Sequence, residues 1–215
     1  MEKESDVMKK IKNRSALALA AVLVLAAVFS AGCGKKQDTL PSDSQSGQES
    51  SGKTEEGGVS YADSLEVMKL IWDEIDEEDK FPSYGGSDLE NPVMNAPGGF
   101  DVSDTDALTA TLIVPKSLHD SIDDAASLIN MMNANNFTGA AIRVKGTEPS
   151  AAAEEIKKSV TGNQFMCGFP EKIVVITAGD YVIYAFGLEN TVNGFKEAAQ
   201  KKLEGAKIVC EQRME

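Results

Sequence analysis

The chain has 215 residues, 42% hydrophobic and 26% charged, with 21 Lys and Arg against 34 Asp and Glu, for a formal charge of −13. That length supports one domain with a real core and excludes wholesale disorder. The acidic balance argues against nucleic acid as a partner, because phosphate binding relies on Lys and Arg that release counterions. A single histidine, His119, rules out multi-histidine metal centres and leaves one candidate for histidine acid or base chemistry.

The N-terminus reads as an address. Lys3, Lys9, Lys10, Lys12 and Arg14 precede an unbroken apolar run from Ala16 to Phe29. Fourteen residues are too few to span a hydrocarbon core of about 30 Å, so the run is the apolar centre of a signal peptide. It ends in Ser30-Ala31-Gly32-Cys33, which resembles the bacterial lipobox, with Ser30 where that pattern prefers Leu. The resemblance makes residues 1–32 a lipoprotein signal peptide and Cys33 the site of diacylglycerol attachment. Removing those residues leaves 16 basic against 31 acidic side chains. An anionic bilayer repels such a chain, so membrane attachment has to come from lipid. Residues 33–58 contain one bulky apolar side chain, Leu40, among Ser, Gly, Gln, Lys and Glu, and are expected to form a disordered tether with a reach of about 25–30 Å. A single domain is expected over 59–215.

Within that domain, Ser60 and Asp63 suggest a helix start, and Leu65, Met68, Ile71, Trp72 and Ile75 recur at helical spacing over 61–76. The long stretch from Lys80 to Asp104 has no period, but Phe81, Tyr84, Val93, Met94 and Phe100 are too apolar for disorder, and an ordered loop packed over the domain is expected. Leu108–Val114 reads as a strand. Ile122, Ala125, Ala126, Ile129 and Met132 read as the apolar face of a helix stopped by Asn133, Asn135 and Asn136. Phe137–Lys145 reads as a strand, and Ala152, Ile156 and Val160 as a helix capped by Thr147 or Ser150 and ended by Gly162. Lys172–Ala178 and Tyr181–Phe186, joined by Gly179-Asp180, form the strongest hairpin signal. Asn190 is the expected cap of a last helix with Val192, Phe195, Ala199 and Leu203 inward, closed by Gly205 and followed by a strand over Ala206–Glu211.

The order is α, β, α, then βαββαβ. The fold class is therefore α+β, with a ferredoxin-like βαββαβ core, an N-terminal helix and an extra β-α unit. A second parse from Leu108, βαβαββα, is thioredoxin-like, with Phe169-Pro170 before the hairpin; the stretch Val114–Leu118, where that family carries Cys-x-x-Cys, has no cysteine. In the ferredoxin-like order Cys167 and Cys210 belong near opposite edges and are not expected to be disulfide-bonded.

Asn91-Pro92-Val93-Met94-Asn95-Ala96-Pro97-Gly98-Gly99-Phe100-Asp101, Asp123-Asp124-Ala125-Ala126-Ser127-Leu128, Asn133-Ala134-Asn135 and Met166-Cys167-Gly168-Phe169-Pro170 resemble small lipoproteins of Gram-positive anaerobes often labelled bacteriocin transport accessory proteins. The resemblance covers Leu65 to the end and implies an accessory role in peptide export or immunity. It carries no assigned catalytic residues.

The chemistry-bearing residues have modest readings. Six carboxylates between Asp73 and Asp79 lack EF-hand spacing and read as a solvated helix end. Asp101, Asp104 and Asp106 read as turn and cap residues, Met131-Met132 as core, and Cys167 as a half-buried small apolar residue. No catalytic, metal-binding or cofactor-binding set emerges. The long loop supplies the candidate ligand contacts: Tyr84, Asn95, Gly98, Gly99 and Phe100. The expected function is that of a membrane-anchored extracytoplasmic lipoprotein acting by binding, with an envelope protein or peptide as partner; the alternative is a redox accessory protein or enzyme using the lone thiol of Cys167.

Overall fold

The computed structural model describes residues 60–214. The signal-peptide, lipidation and tether expectations, and the expected domain boundary at 59, lie outside the described residues.

Helix α1 (Ser64–Glu74) starts at Asp63, whose carboxylate accepts the Glu66 N–H at 2.7 Å, while Glu66 accepts the Ala62 N–H at 2.6 Å. This reciprocal pair satisfies two orphan donors, and a strand carboxylate, Asp124, takes the Ser64 N–H at 2.5 Å. Met68, Ile71 and Trp72 are buried, as their spacing predicts; Val67 is buried with them, and Leu65 and Ile75 are half-buried at the edge of the same core. The long connection is ordered as three short strands, β1 (Ser83–Gly85), β2 (Val93–Met94) and β3 (Gly98–Phe100).

Two elements differ from expectation. Leu108–Val114 is not a strand but belongs to helix α2 (Thr105–Thr111) and its exit. The Asp104 carboxylate accepts the Ala107 N–H at 2.8 Å, and Leu108 and Leu112, one turn apart, are buried. Capping by Asp104 outweighs the strand preference of the Thr, Leu, Ile and Val that follow. After a 3₁₀ helix (Lys116–Ser121), the expected helix with Ile122, Ala125, Ala126 and Ile129 is strand β4 (Ile122–Asn130). The cause is a register shift between Ile122 and Asp124. A bulge adds one residue, so Ile122 and Ala125, three apart, point into the same core. Ala126 and Leu128 fill the other core. A strand covered on both faces and carrying a bulge reproduces helical spacing.

The remaining elements follow the sequence closely: β5 (Phe137–Val144), α3 (Pro149–Thr161), β6 (Lys172–Ala178), β7 (Tyr181–Gly187), α4 (Glu189–Lys202) and β8 (Lys207–Arg213). The helix starts differ in detail. Thr147 bonds Ser121 rather than capping α3, which opens on Pro149, and the Glu189 N–H of α4 is held by Glu171 at 2.8 Å, with Asn190 already inside the first turn. Gly179 turns the β6–β7 hairpin with φ 56°.

All pairings are antiparallel, in an eight-stranded sheet of order β2-β1-β4-β5-β7-β6-β8, with β3 beside β4 on the same edge as β1. The α+β class holds, but the strand order is not ferredoxin-like. That arrangement returns the last strand to the free edge of the first, and here β4 occupies that edge of β5 along its length. Strand β8 therefore pairs with β6. Both crossovers, β5 to β6 and β7 to β8, now step in the same direction from strands of opposite sense. Right-handedness then requires their helices on opposite faces. Accordingly α3 packs over Ile173, Val175, Val182 and Tyr184, while α4 joins α1 over Val174, Ile176, Ile183 and Ala185. The thioredoxin-like parse fails with its first strand. Cys167 and Cys210 are free, although β6 and β8 are neighbours rather than opposite edges.

Candidate functional site

One end of the sheet brings together the β4–β5 turn and the α3–β6 connection. The β4–β5 turn, residues 131–136, is built by asparagines. Asn130 Oδ1 accepts the Met132 and Asn133 N–H groups at 2.9 and 3.3 Å, and Asn133 Oδ1 accepts the Asn135 N–H at 2.9 Å. These side chains stand in for backbone partners within a turn. Their amide ends then reach across to the α3–β6 connection, residues 162–171. Asn133 Nδ2 donates to the Cys167 carbonyl at 2.7 Å and Asn135 Nδ2 to the Gly168 carbonyl at 2.9 Å. Two loops far apart in sequence are thereby fixed to each other.

The apolar side chains of these loops face outward. Met132 and Met166 are each 82% exposed and Phe169 is 76% exposed, with Met131 at 47%. This corrects two sequence expectations: Met131-Met132 are not core, and Cys167 is exposed rather than half-buried. The reason is the turn itself. Asparagine side chains accept the Met132, Asn133 and Asn135 N–H groups, so the turn closes on itself with its methionines outward.

Beside the stapled loops lies a cleft of about 260 Å³. Tyr84 of β1, Thr138 of β5 and Phe186 of β7 border it from the sheet, in one row that runs through Ile129 of β4. Phe165 packs on Phe186 with ring centroids 5.6 Å apart and forms a wall with Met166. The opposite wall is the exit of α2, where Ile113 adopts φ 58°. A β-branched residue rarely takes that conformation. It is held by Ser159 Oγ donating to the Ile113 carbonyl at 2.7 Å and by Tyr184 OH donating to the Leu112 carbonyl at 2.8 Å. Asn163, Gln164 and Thr111 complete the rim, and no charged residue lines the cleft. Burial alone pushes the Tyr84 phenol upward.

Of the five candidate ligand contacts, only Tyr84 reaches this cleft. Asn95, at φ 54°, accepts the Trp72 indole N–H on its carbonyl at 3.2 Å and borders a separate shallow depression with Trp72 and Phe81. Gly98 is pressed against the Gly85 backbone, Gly99 faces open space, and Phe100 is buried in the core. Sequence reasoning missed Thr138, Asn163, Gln164, Phe165, Met166 and Phe186. The available signal was the aromatic and methionine content of 165–169, just before a strand and within reach of an asparagine-rich turn.

The other marked residues have local roles. Asp104 caps α2, and Asp101 accepts the Ser103 N–H at 2.9 Å. His119 Nε2 lies 3.2 Å from Thr109 Oγ1 on the surface. A cavity of about 400 Å³ between α1 and α4 is bordered by Glu74, Asp76, Asp79 and Glu197. Lys201 and Lys202 pair with Glu74 and hold its carboxyl below the ordinary range. Among the described residues no three His, Cys, Asp or Glu side chains converge on a metal position, and no helix is long and apolar enough to cross a membrane. No family model, curated protein or solved structure matches the chain.

Proposed function

We propose that the chain is an extracytoplasmic lipoprotein, held at the cell membrane by diacylglycerol on Cys33, whose folded body acts by binding an envelope protein or peptide. The observation that carries the binding half is the stapled end of the sheet. Exposed apolar side chains on fixed loops mark interaction surfaces, and Met132, Met166 and Phe169 are held by hydrogen bonds to the loops' own backbone rather than left to move. Polarity along the sheet supports the same reading. The described chain enters at the opposite end, where Tyr181 OH donates to the Tyr61 carbonyl at 3.2 Å beside the β6–β7 hairpin. Eight residues of β5 separate the two ends by about 25 Å. A domain tethered through Tyr61 carries its methionine and phenylalanine tips on the side away from the attachment.

The thiol alternative now stands without its fold, and it would rest on Cys167 alone. Alkylation of native protein below pH 7 separates the two, since a reactive thiolate is modified there and an ordinary thiol is not.

The lipoprotein half is tested by labelling cells with radioactive palmitate and fractionating their envelopes. Wild-type chain is expected to carry label and sediment with membranes, and Cys33→Ala to lose both; membrane retention of the unlabelled variant refutes the anchor. A photo-crosslinking residue at position 132 is expected to give discrete adducts in intact envelopes that one at position 207, at the far end, does not. Identical adducts from both positions refute the assignment of the binding end.

A further inference from the structure

We infer that the cavity between α1 and α4 binds a linear aliphatic oligoamine, a methylene chain carrying two or three ammonium groups. The site shares no residue with the stapled loops, so the inference stands apart from the binding reading above.

Size admits a small molecule. Sites that enclose one usually measure about 300–1,000 Å³, and this cavity holds about 400 Å³. The exit of α1 forms one wall, where Ile75 and Phe81 are half-buried and offer apolar surface. The other wall is a stripe of α4, Asn190, Gly194, Glu197 and Lys201, whose spacing of three and four residues puts them on one face. Gly194 keeps that wall low. Glycine inside a helix is unfavourable, and here no close packing demands it, since a Cβ would meet nothing within 4 Å. The space above it belongs to the cavity.

Charge selects the ligand. Glu74, Asp76, Asp79 and Glu197 line the cavity against one cation, Lys201. Lys201 and Lys202 both pair with Glu74. The other lysines near by are engaged elsewhere, Lys80 with Glu77, and Lys172 and Lys196 with Glu211. Among the described residues, exposed Asp76, Asp79 and Glu197 therefore have no Lys or Arg within ion-pair distance. The end of α1 adds the negative pole of its dipole, with no basic residue in its last turn, whereas Glu189 answers the positive pole at the start of α4. Such a cavity attracts cations and repels anions. A single metal ion does not fit, because among the described residues no three carboxylates converge on one position. Charge dispersed over apolar surface matches ammonium groups spaced along methylenes, whose apolar stem covers Ile75 and Phe81.

The test is isothermal titration calorimetry of the full chain in nonionic detergent micelles at low salt, with spermidine, cadaverine, pentanediol and calcium chloride as probes. Spermidine is expected to bind at one site per chain and about tenfold tighter than cadaverine, and uncharged pentanediol not to bind at about 5 mM. Glu197→Gln, and the pair Asp76→Asn with Asp79→Asn, are each expected to weaken spermidine by at least about threefold, while Glu90→Gln with Glu148→Gln, exposed carboxylates outside the cavity, changes it by less than about 1.5-fold. Gly194→Leu fills the cavity from the α4 wall and is expected to weaken spermidine by at least about tenfold. Its circular-dichroism melt is expected to be no lower than that of wild type, because leucine favours a helix over glycine; if the melt falls, the carboxylate variants decide. Absence of spermidine binding at about 5 mM, equal losses from the cavity and the distant carboxylate variants, or spermidine binding that survives Gly194→Leu with an intact melt overturns the site. Calcium that displaces spermidine more strongly than sodium does at equal ionic strength overturns the choice of an amine. The crosslinks from position 132 are expected to be the same in every one of these variants, so loss of this site leaves the binding end standing.

Discussion

Gly98 and Gly99 are adjacent, both were candidate ligand contacts, and alanine at the two positions is expected to have opposite effects. A Cβ on Gly98 falls 2.5 Å from the Gly85 carbonyl carbon, 2.6 Å from the Gly86 nitrogen and 2.7 Å from the Gly85 oxygen. Carbon pairs settle at about 3.5–4.0 Å, so roughly 1 Å of separation has to open between β3 and β1. Neither side yields easily. Strand β1 is paired to β2 and β4, the Gly86 N–H donates to Ser127 Oγ at 3.0 Å, and β3 pairs through Gly98↔Ser127, Gly99↔Ala126 and Phe100↔Ala125. Overpacking of this kind costs about 1–3 kcal/mol, and partial release of β3 adds about 1 kcal/mol for each net hydrogen bond lost. The expected total is about 3 kcal/mol, or about 6–12 °C in melting temperature for a domain of this size. Gly99 has no neighbour for a Cβ and neither glycine has a positive φ. Gly99→Ala is therefore expected to be neutral or to stabilise by about 0.4–1 kcal/mol through the unfolded chain. Thermal melts followed by far-ultraviolet circular dichroism, with urea titration at 25 °C, compare the two. If both variants melt within about 0.5 kcal/mol of each other, the crossing of β1 and β3 is not as close as described.

Tyr184→Phe removes the hydroxyl that donates to the Leu112 carbonyl at 2.8 Å inside the core and is expected to cost about 1–3 kcal/mol in urea unfolding, because it also orphans that carbonyl; a loss below about 0.3 kcal/mol refutes the bond. The Arg143 guanidinium, bonded to Asp123 at 2.8 and 3.1 Å, holds that carboxyl below its ordinary value, with Lys145 assisting. A carboxylate depressed in the folded state contributes stability above its unfolded pKa of about 3.9 and loses it as pH falls through the folded value. The melting temperature is therefore expected to drop on acidification below about pH 4, and less steeply in Asp123→Asn; parallel profiles refute the assignment. Native protein treated with iodoacetamide is expected to be alkylated at exposed Cys167 only, since Cys210 is buried and burial pushes its thiol up. Recovery of a linked Cys167–Cys210 peptide without reduction contradicts the geometry.

Local pattern and long-range topology were legible to different degrees. The Tyr181–Gly187 strand and its partner read correctly because β-branched and aromatic residues fill consecutive positions on both faces and a Gly-Asp pair separates them. Helices α1, α3 and α4 read correctly because each presents one buried stripe. Strand β4 did not, because its bulge shifts the side-chain parity and mimics a helical repeat. Strand order was beyond local pattern altogether. Which edge accepts β8 depends on whether β5 has a free edge, and that depends on β4, the element whose type was misread. A single parity error at Ile122–Asp124 therefore carried through to the topology, the placement of the helices on two faces, and the predicted separation of β6 from β8.

The candidate site was concealed by a different mechanism. Residue preference places methionine in cores, and nothing in Met131-Met132 or Met166 taken singly opposes that. The opposing signal is relational: Asn130, Asn133, Asn135 and Asn136 crowd the turn that holds the first two methionines. A turn whose backbone groups are satisfied by its own side chains needs no cover from the rest of the protein, so its apolar members are not compelled inward. The same amides bond the Cys167 and Gly168 carbonyls, which ties the second methionine and Phe169 to the first pair. Burying this patch would have required a longer connection to fold back over it, and the long connection 80–104 lies along the edge of β4 instead. The exposed end is thus a consequence of where the chain places its ordered segments. Removing the staples tests that cause directly: Asn133→Ala with Asn135→Ala is expected to leave the core melt within about 1 kcal/mol of wild type, while amide hydrogen exchange in 163–169 rises by at least about tenfold. Exchange that stays at the wild-type rate would mean that the loop is held by its own packing and that the asparagines do not organise the site.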